Sequence, residues 1–307
     1  MNPQQQDRWV AEVLREVMTA MMHDGALREA LVFKGAWVLN LHLGEIRHSM
    51  DIDAAAEPGW VKEMGSLDNQ EAFLREHLPR AVRRHFERQN PVRFTMKEAK
   101  FDRNPADHHP RGWDMLCVKL VVRDQRMPNV LGLPPAKLEV AAAESYGPDA
   151  VEMRDFLGVP SRVYALHRIA GEKLRAYLTS LPEYRAKMRG GDRKFRVKDL
   201  HDLARIVRHR PLKDADFWAK AMREFRLACE SRYVDCAGPE TFKQDWAEAG
   251  LRYEQDQHLT MVPFPEAEAA LDEISAAFAW MGVFPLAFST PPTFCDRSTT
   301  GRENEET

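Results

Sequence analysis

Hydrophobic residues between positions 5 and 30 recur at helical spacing: Trp9, Val10, Val13, Leu14, Val17, Met21, Leu27 and Leu31. This predicts an N-terminal helical arm. Leu31-Val32-Phe33 is a short apolar run that reads as a buried strand. Lys34-Gly35-Ala36 follows, then a helical stretch over Trp37 to Leu43, with Gly44 suited to end it. From Ser49 to Asp53 the pattern alternates, with Met50 and Ile52 on one face and Ser49, Asp51 and Asp53 on the other, the period of a strand. Pro58-Gly59 reads as a break. Residues 68–89 predict a charged amphipathic helix. Three strand candidates come next, at Val92–Phe101, Met115–Val122 and Ala136–Ala142, suited to antiparallel pairing. Beyond Pro160 the pattern turns helical, at Val163–Leu178, Lys198–Arg208, Ala215–Ser231 and Glu266–Met281.

These elements predict an α/β (α+β) chain: a mixed or antiparallel sheet with flanking helices over residues 1–159, a helical domain over 160–286, and a polar, disordered tail over 287–307. Met21, Met22, Phe217, Trp218 and Phe225 are expected in the core.

The chain has 307 residues, 44% of them hydrophobic and 30% charged, as in globular proteins. No apolar run approaches the ~20 residues of a membrane span, and the polar start lacks the core of a secretory signal. Cys117, Cys229, Cys236 and Cys295 have no CxxC spacing. They read as free thiols of a cytoplasmic protein, with no disulfide framework or zinc site. The net charge of -3 hides a segmental pattern. Basic residues outnumber acidic ones from Arg75 to Arg126 and from Arg162 to Arg226, so a mildly acidic chain can still offer phosphates a basic face.

The candidate chemistry lies at Lys34-Gly35 and Ser49-x-Asp51-x-Asp53. Residues two apart on a strand point the same way, roughly 6.5–7 Å apart, so Asp51 and Asp53 would offer two carboxylates to one divalent ion. A glycine turn running into a helix N-terminus brings backbone N–H groups to phosphate. Lys34 and Ser49 would donate to the same phosphates. His108-His109 beside Asp107 reads as surface loop. Gly190-Gly191, flanked by Lys187, Arg189, Arg193 and Lys194, reads as a basic loop or linker.

The segment LVFKGAWVLNLHLGEIRHSMDID resembles the first motif of the AbiEii-type nucleotidyltransferases, the toxin halves of type IV toxin–antitoxin and abortive-infection systems, within the polymerase-β-like superfamily. Ala36 stands where members usually carry a second glycine. The resemblance implies a third carboxylate on a later strand, best matched by Glu139 in AKLEVAAAE, where Asp is commoner; Asp114 is the competing candidate. It further implies that Lys173, in AGEKL, contacts nucleotide phosphates. Asp199 and Asp202, in VKDLHDL beside Lys198, would help build the site, Asp202 among the nucleotide-binding residues with Lys34, Gly35, Ala36, Ser49 and Lys173, and Glu139 or Asp199 would take the acceptor proton. The implied reaction moves a nucleoside monophosphate from an NTP to an acceptor hydroxyl with Mg²⁺ or Mn²⁺. The expected acceptor is RNA, at the 3′ end of tRNA, and the expected partner an antitoxin. A protein or small-molecule acceptor, or a catalytically silent binding module, are the alternatives.

Overall fold

The structure, a computed structural model, describes residues 2–44, 50–107, 113–130, 132–156, 158–186 and 195–288. Its elements begin with helices α1 (Pro3–His23) and α2 (Gly25–Ala30), strand β1 (Leu31–Lys34) and helix α3 (Gly35–Leu43). Strand β2 (Ile52–Ala56) follows, then α4 (Pro58–Met64) and α5 (Leu67–Glu87). Five strands come next: β3 (Phe94–Asn104), β4 (Met115–Asp124), β5 (Ala136–Ala141), β6 (Val151–Phe156) and β7 (Val159–Tyr164). The rest is helical: α6 (Leu166–Leu178), α7 (Pro182–Ala186), α8 (Val197–His209), α9 (Ala215–Arg232), α10 (Trp246–Gln255) and α11 (Phe264–Trp280).

The strands form one mixed sheet in the order β3-β4-β5-β2-β1-β7-β6. β2 sits at its centre, antiparallel to β1 and parallel to β5. Alternation turns Asp53 and Glu139 to one face. Ile52, Ala54, Leu138 and Val140 turn to the other, and all four are buried. α1 packs against β5, β7 and α5, whereas α3 packs against α6 and α8. Met21, Met22, Phe217, Trp218 and Phe225 are in the core, as expected.

Local chemistry explains where the elements depart from the sequence reading. The single arm over 5–30 is two helices because the Asp24 carboxylate accepts from Leu27 N–H at 3.1 Å and starts α2 afresh. Pro58-Gly59 opens a short helix instead of breaking the chain. Proline suits a first helical turn, and the Glu57 side chain caps Trp60 N–H at 2.7 Å. The stretch read as helix from Val163 begins as strand: Val163 pairs with Phe33 in β7, and α6 starts only at Leu166. β6 escaped notice because it is an edge strand, half to fully exposed, without a clean apolar alternation. The change from sheet to helices expected near Val159-Pro160 falls between Tyr164 and Leu166. Residues 289–307, most of the expected tail, lie outside the described residues, as do His108, His109, Gly190 and Gly191.

α6, which follows β7 in the chain, packs on α3 as well as on α8 and α9. Gly171 permits the closest approach. A β-carbon there would lie 2.5 Å from Phe225 N and 2.8 Å from Glu224 C, so the α6 and α9 backbones are in contact.

Candidate active site

β1 passes into α3 with no intervening loop. The junction needs Gly35 for two reasons. Its φ is +74°, where a side chain is strained. In addition, a β-carbon at 35 would overlap Asp53 Oδ2 and lie 2.7 Å from Asp53 Cγ. The cap residue, Lys34, makes no side-chain cap bond to α3, and Lys34, Gly35 and Ala36 line the cleft. Ala36, by contrast, is an ordinary helical residue on the cleft wall, and its methyl group is accommodated.

Strand register sets the acidic group. Lys34 pairs with Asp53 across β1–β2, and Asp53 pairs with Glu139 across β2–β5, so the three side chains form one row across three neighbouring strands. Asp51 is not on the strand, as alternation had suggested. β2 begins at Ile52, and Asp51 stands in a bend just before it, still on the cleft wall. Asp114 is buried ahead of β4 and is not part of that wall; Glu139 is. Ser49 lies outside the described residues.

The acidic row is electrostatically uncomfortable. Burial, followed by the charge of Asp51 and then of Glu139, pushes the Asp53 carboxyl up to about 7 against the pull of Lys34 and Lys173. Glu139 is raised too, by burial and then by Asp51. Such a set of hard oxygen donors gains from a divalent cation, and its chemistry fits Mg²⁺ or Mn²⁺ better than a soft metal.

The opposite wall comes from α6 and α8. Lys173 donates to Asp199 Oδ1 at 3.0 Å and to Asp202 Oδ2 at 2.7 Å, because the two aspartates are three apart on one face of α8. Asp199 also accepts from Arg196 Nε at 2.5 Å. Burial would raise its carboxyl, but Arg196 and Lys173 together hold it below the ordinary value. A carboxylate so engaged is a poor proton acceptor, which leaves Glu139 as the better of the two candidate bases. Asp202 is wholly buried and absent from the cleft wall. The expectation that it touches nucleotide is therefore corrected: its carboxylate accepts from Lys173 and, at 3.3 Å, from Arg205 instead.

Sequence reading missed a second charged cluster behind Lys34. The Lys34 ammonium lies 3.6 Å from Glu144 and 3.7 Å from Glu172. Arg168, buried, donates to Glu144 at 3.1 Å, Glu172 at 3.3 Å and Glu224 at 3.3 Å. Arg232 reaches Glu144 at 3.2 Å. Burial and the neighbouring Glu144 raise Glu172, whereas Lys34, a hydrogen bond from Glu172 and Arg168 hold Glu144 well below its ordinary value despite its burial. Only the Arg168–Glu172 spacing, four apart on a helix, was visible in sequence; Glu144 and Arg232 arrive from distant elements.

Together these residues enclose a cleft of about 460 Å³, within the usual ~300–1,000 Å³ of small-molecule sites. Asp51, Asp53 and Glu139 lie on the sheet side, and Lys173, Arg196, Lys198 and Asp199 on the helical side. Among the described residues, the group of His, Cys, Asp or Glu side chains whose ligand atoms all lie within 4.8 Å of one another is Asp149, His167 and Glu224, not Asp51, Asp53 and Glu139, whose carboxylates are more widely spaced. Arg223 and Lys220 pair with Asp149, and Arg168 and Arg223 with Glu224, so protein cations already neutralise it. Among the described residues, no helix is long and apolar enough to cross a membrane.

Residues 16–278 match the family model described as nucleotidyl transferase AbiEii toxin, type IV TA system. No curated protein matches the chain. Among solved structures, the chain is similar to a protein of H. pylori described as a nucleotidyltransferase, at 13% identity and a TM-score of 0.47, covering 92% of this chain and 96% of that one. It is also similar to MenT4, a nucleotidyltransferase toxin of Mycobacterium tuberculosis H37Rv, at 17% identity and a TM-score of 0.39, covering 90% and 94%.

Proposed function

The chain belongs to the AbiEii nucleotidyltransferase toxin family of type IV toxin–antitoxin systems, and from that membership and the cleft we propose that it moves a nucleoside monophosphate from an NTP to a hydroxyl of RNA, at the 3′ end of tRNA. The observation that carries the reading is the row Lys34–Asp53–Glu139, facing Lys173 and Arg196 across one cleft.

In this reading the triphosphate lies at the N-terminus of α3, where backbone N–H groups and the helix dipole favour anions. Lys34, Lys173 and Arg196 neutralise its oxygens, and Asp199 and Asp202 aim Lys173. Asp51, Asp53 and Glu139 would hold Mg²⁺ or Mn²⁺. When bound, the metal supplies charge neutralisation at the phosphates and lowers the pKa of an attacking hydroxyl. The acceptor oxygen attacks the α-phosphorus, the bond from that phosphorus to the bridging oxygen breaks, and pyrophosphate leaves. The acceptor proton passes to Glu139, because the other candidate, Asp199, is already engaged by Lys173 and Arg196. The partners implied are NTP, an RNA acceptor and a cognate antitoxin, in the cytoplasm, where both substrates occur.

Labelled NTPs incubated with the protein, Mg²⁺ and cell extract test the acceptor class. Label that RNase releases and protease leaves in place is expected. Label that only protease releases would place the acceptor among proteins.

Metal binding should also be linked to pH. Asp53 takes up a proton near pH 7 in the metal-free protein, and the metal must displace it. The rise in Tm caused by saturating Mn²⁺ is therefore expected to grow from about pH 6 to about pH 8, as scanning fluorimetry can show. A constant rise over that range would contradict the placement of the ion at Asp53.

A further inference from the structure

Next to the catalytic cleft runs a second groove, of about 670 Å³, between the start of α8 and the end of α10. The two cavities share Arg196, Lys198 and Asp199 as wall residues, so they adjoin. We infer that this groove receives the single-stranded end of the acceptor polynucleotide and delivers its terminal hydroxyl to the cleft. The inference rests on the function proposed above.

Charge placement in the groove is asymmetric. The side chains of Arg196, Lys198 and Arg252 are 57%, 48% and 41% exposed, whereas those of Asp199 and Asp256 are only 5% and 20% exposed. Arg196 pairs with Asp199 at 2.5 Å, Lys198 approaches Asp256 at 3.8 Å, and Arg252 pairs with Glu248 at 2.5 Å. The acids at Asp199 and Asp256 lie recessed behind the cations, so a strand passing along the groove meets positive charge first. α8 adds its N-terminus, where Arg196 occupies the cap position without a side-chain cap bond. Arg252, in the last turn of α10, offsets the negative end of that helix.

The remaining wall is amide-rich. Gln255 and Gln257 are exposed at the end of α10. Each offers both donors and an acceptor, which suits the edges of unpaired bases without selecting one. A small acceptor would need no second chamber beyond the cleft. A chain of phosphates fits both the shared wall and the outward cations.

Gln255 and Gln257 permit a test of opposite signs at positions outside the catalytic cleft. The full-length protein is assayed with Mg²⁺, saturating labelled NTP and varied small RNA at low salt, as Gln255→Glu/Gln257→Glu and as Gln255→Lys/Gln257→Lys. The acidic pair is expected to lower kcat/KM for RNA by about tenfold and the basic pair to raise it several-fold. The gap should close as salt rises, with KM for NTP unchanged in both. A folding defect would not produce opposite signs. If the parent labels RNA and the two double variants match it, or both change in the same direction, the groove assignment falls and the function stands. If the parent labels no RNA, the function falls and takes the groove with it.

Discussion

Asp53→Asn is expected to lower nucleotide transfer by about 10³-fold or more, roughly 4 kcal/mol of barrier, while making the metal-free protein more stable at alkaline pH. Both effects follow from one carboxyl. Asp53 is central to the row that would hold the metal, flanked by Lys34 and Glu139 on adjacent strands. Asn keeps the shape and removes the charge, so the fold persists while the donor set loses its middle member. Stability moves the other way. A carboxyl raised to about 7 binds its proton more tightly folded than unfolded. It therefore costs nothing below the ordinary carboxylate value of ~3.9. Its cost accumulates as pH rises from there through about 7 and is fully present above that. Asn carries no charge to desolvate and is not repelled by Asp51. Chemical denaturation of metal-free parent and variant at alkaline pH measures the sign. A variant less stable than the parent there would show that Asp53 is not under electrostatic strain.

Gly35→Ala is expected to be nearly as damaging, about 10²-fold in activity, although it adds one carbon. The backbone at 35 holds a left-handed φ, costing an alanine ~1–2 kcal/mol. The new methyl group would also occupy the space of Asp53 Oδ2. The carboxylate must then rotate or β1 and β2 must separate, and either displaces the acidic row. Ala36→Gly, one residue on, has no such conflict to relieve and should change activity by less than about threefold. Steady-state kinetics of the two variants separate the positions. Equal, mild effects would mean that the Gly35–Asp53 contact does not set the site.

The contrast between those neighbours shows what the sequence could and could not convey. The lysine–glycine turn and the two aspartates were legible because strand alternation and order along the chain are local properties, whereas Glu139 is picked out only by the resemblance of its segment to the family, with Asp114 in competition. The structure then supplied a long-range fact, that β2 lies between β1 and β5 in a register aligning Lys34, Asp53 and Glu139. Asp51 was misplaced by one residue of strand because alternation does not reveal where pairing starts. The resemblance of VKDLHDL to the family segment assigns Asp202 to nucleotide, but a sequence match does not say how deep a side chain lies, and Asp202 is fully buried. Glu144 and Arg232 were invisible, since their meeting with Lys34 and Arg168 depends on how α6 and α9 close against the sheet. The hairpin of β6 and β7 was lost for a similar reason. β7 is strand because β1 offers it an edge, a tertiary influence that overrides local pattern.

The claim on which the rest depends is that Asp51, Asp53 and Glu139 gather a divalent ion beside the triphosphate. Titration of Mn²⁺ followed by electron paramagnetic resonance, with and without a non-hydrolysable NTP analogue, addresses it directly. The parent should remove free Mn²⁺ signal, more tightly when the analogue is present, and Asp53→Asn should lose most of that binding in both conditions. Parent and variant that bind Mn²⁺ equally well would contradict the account.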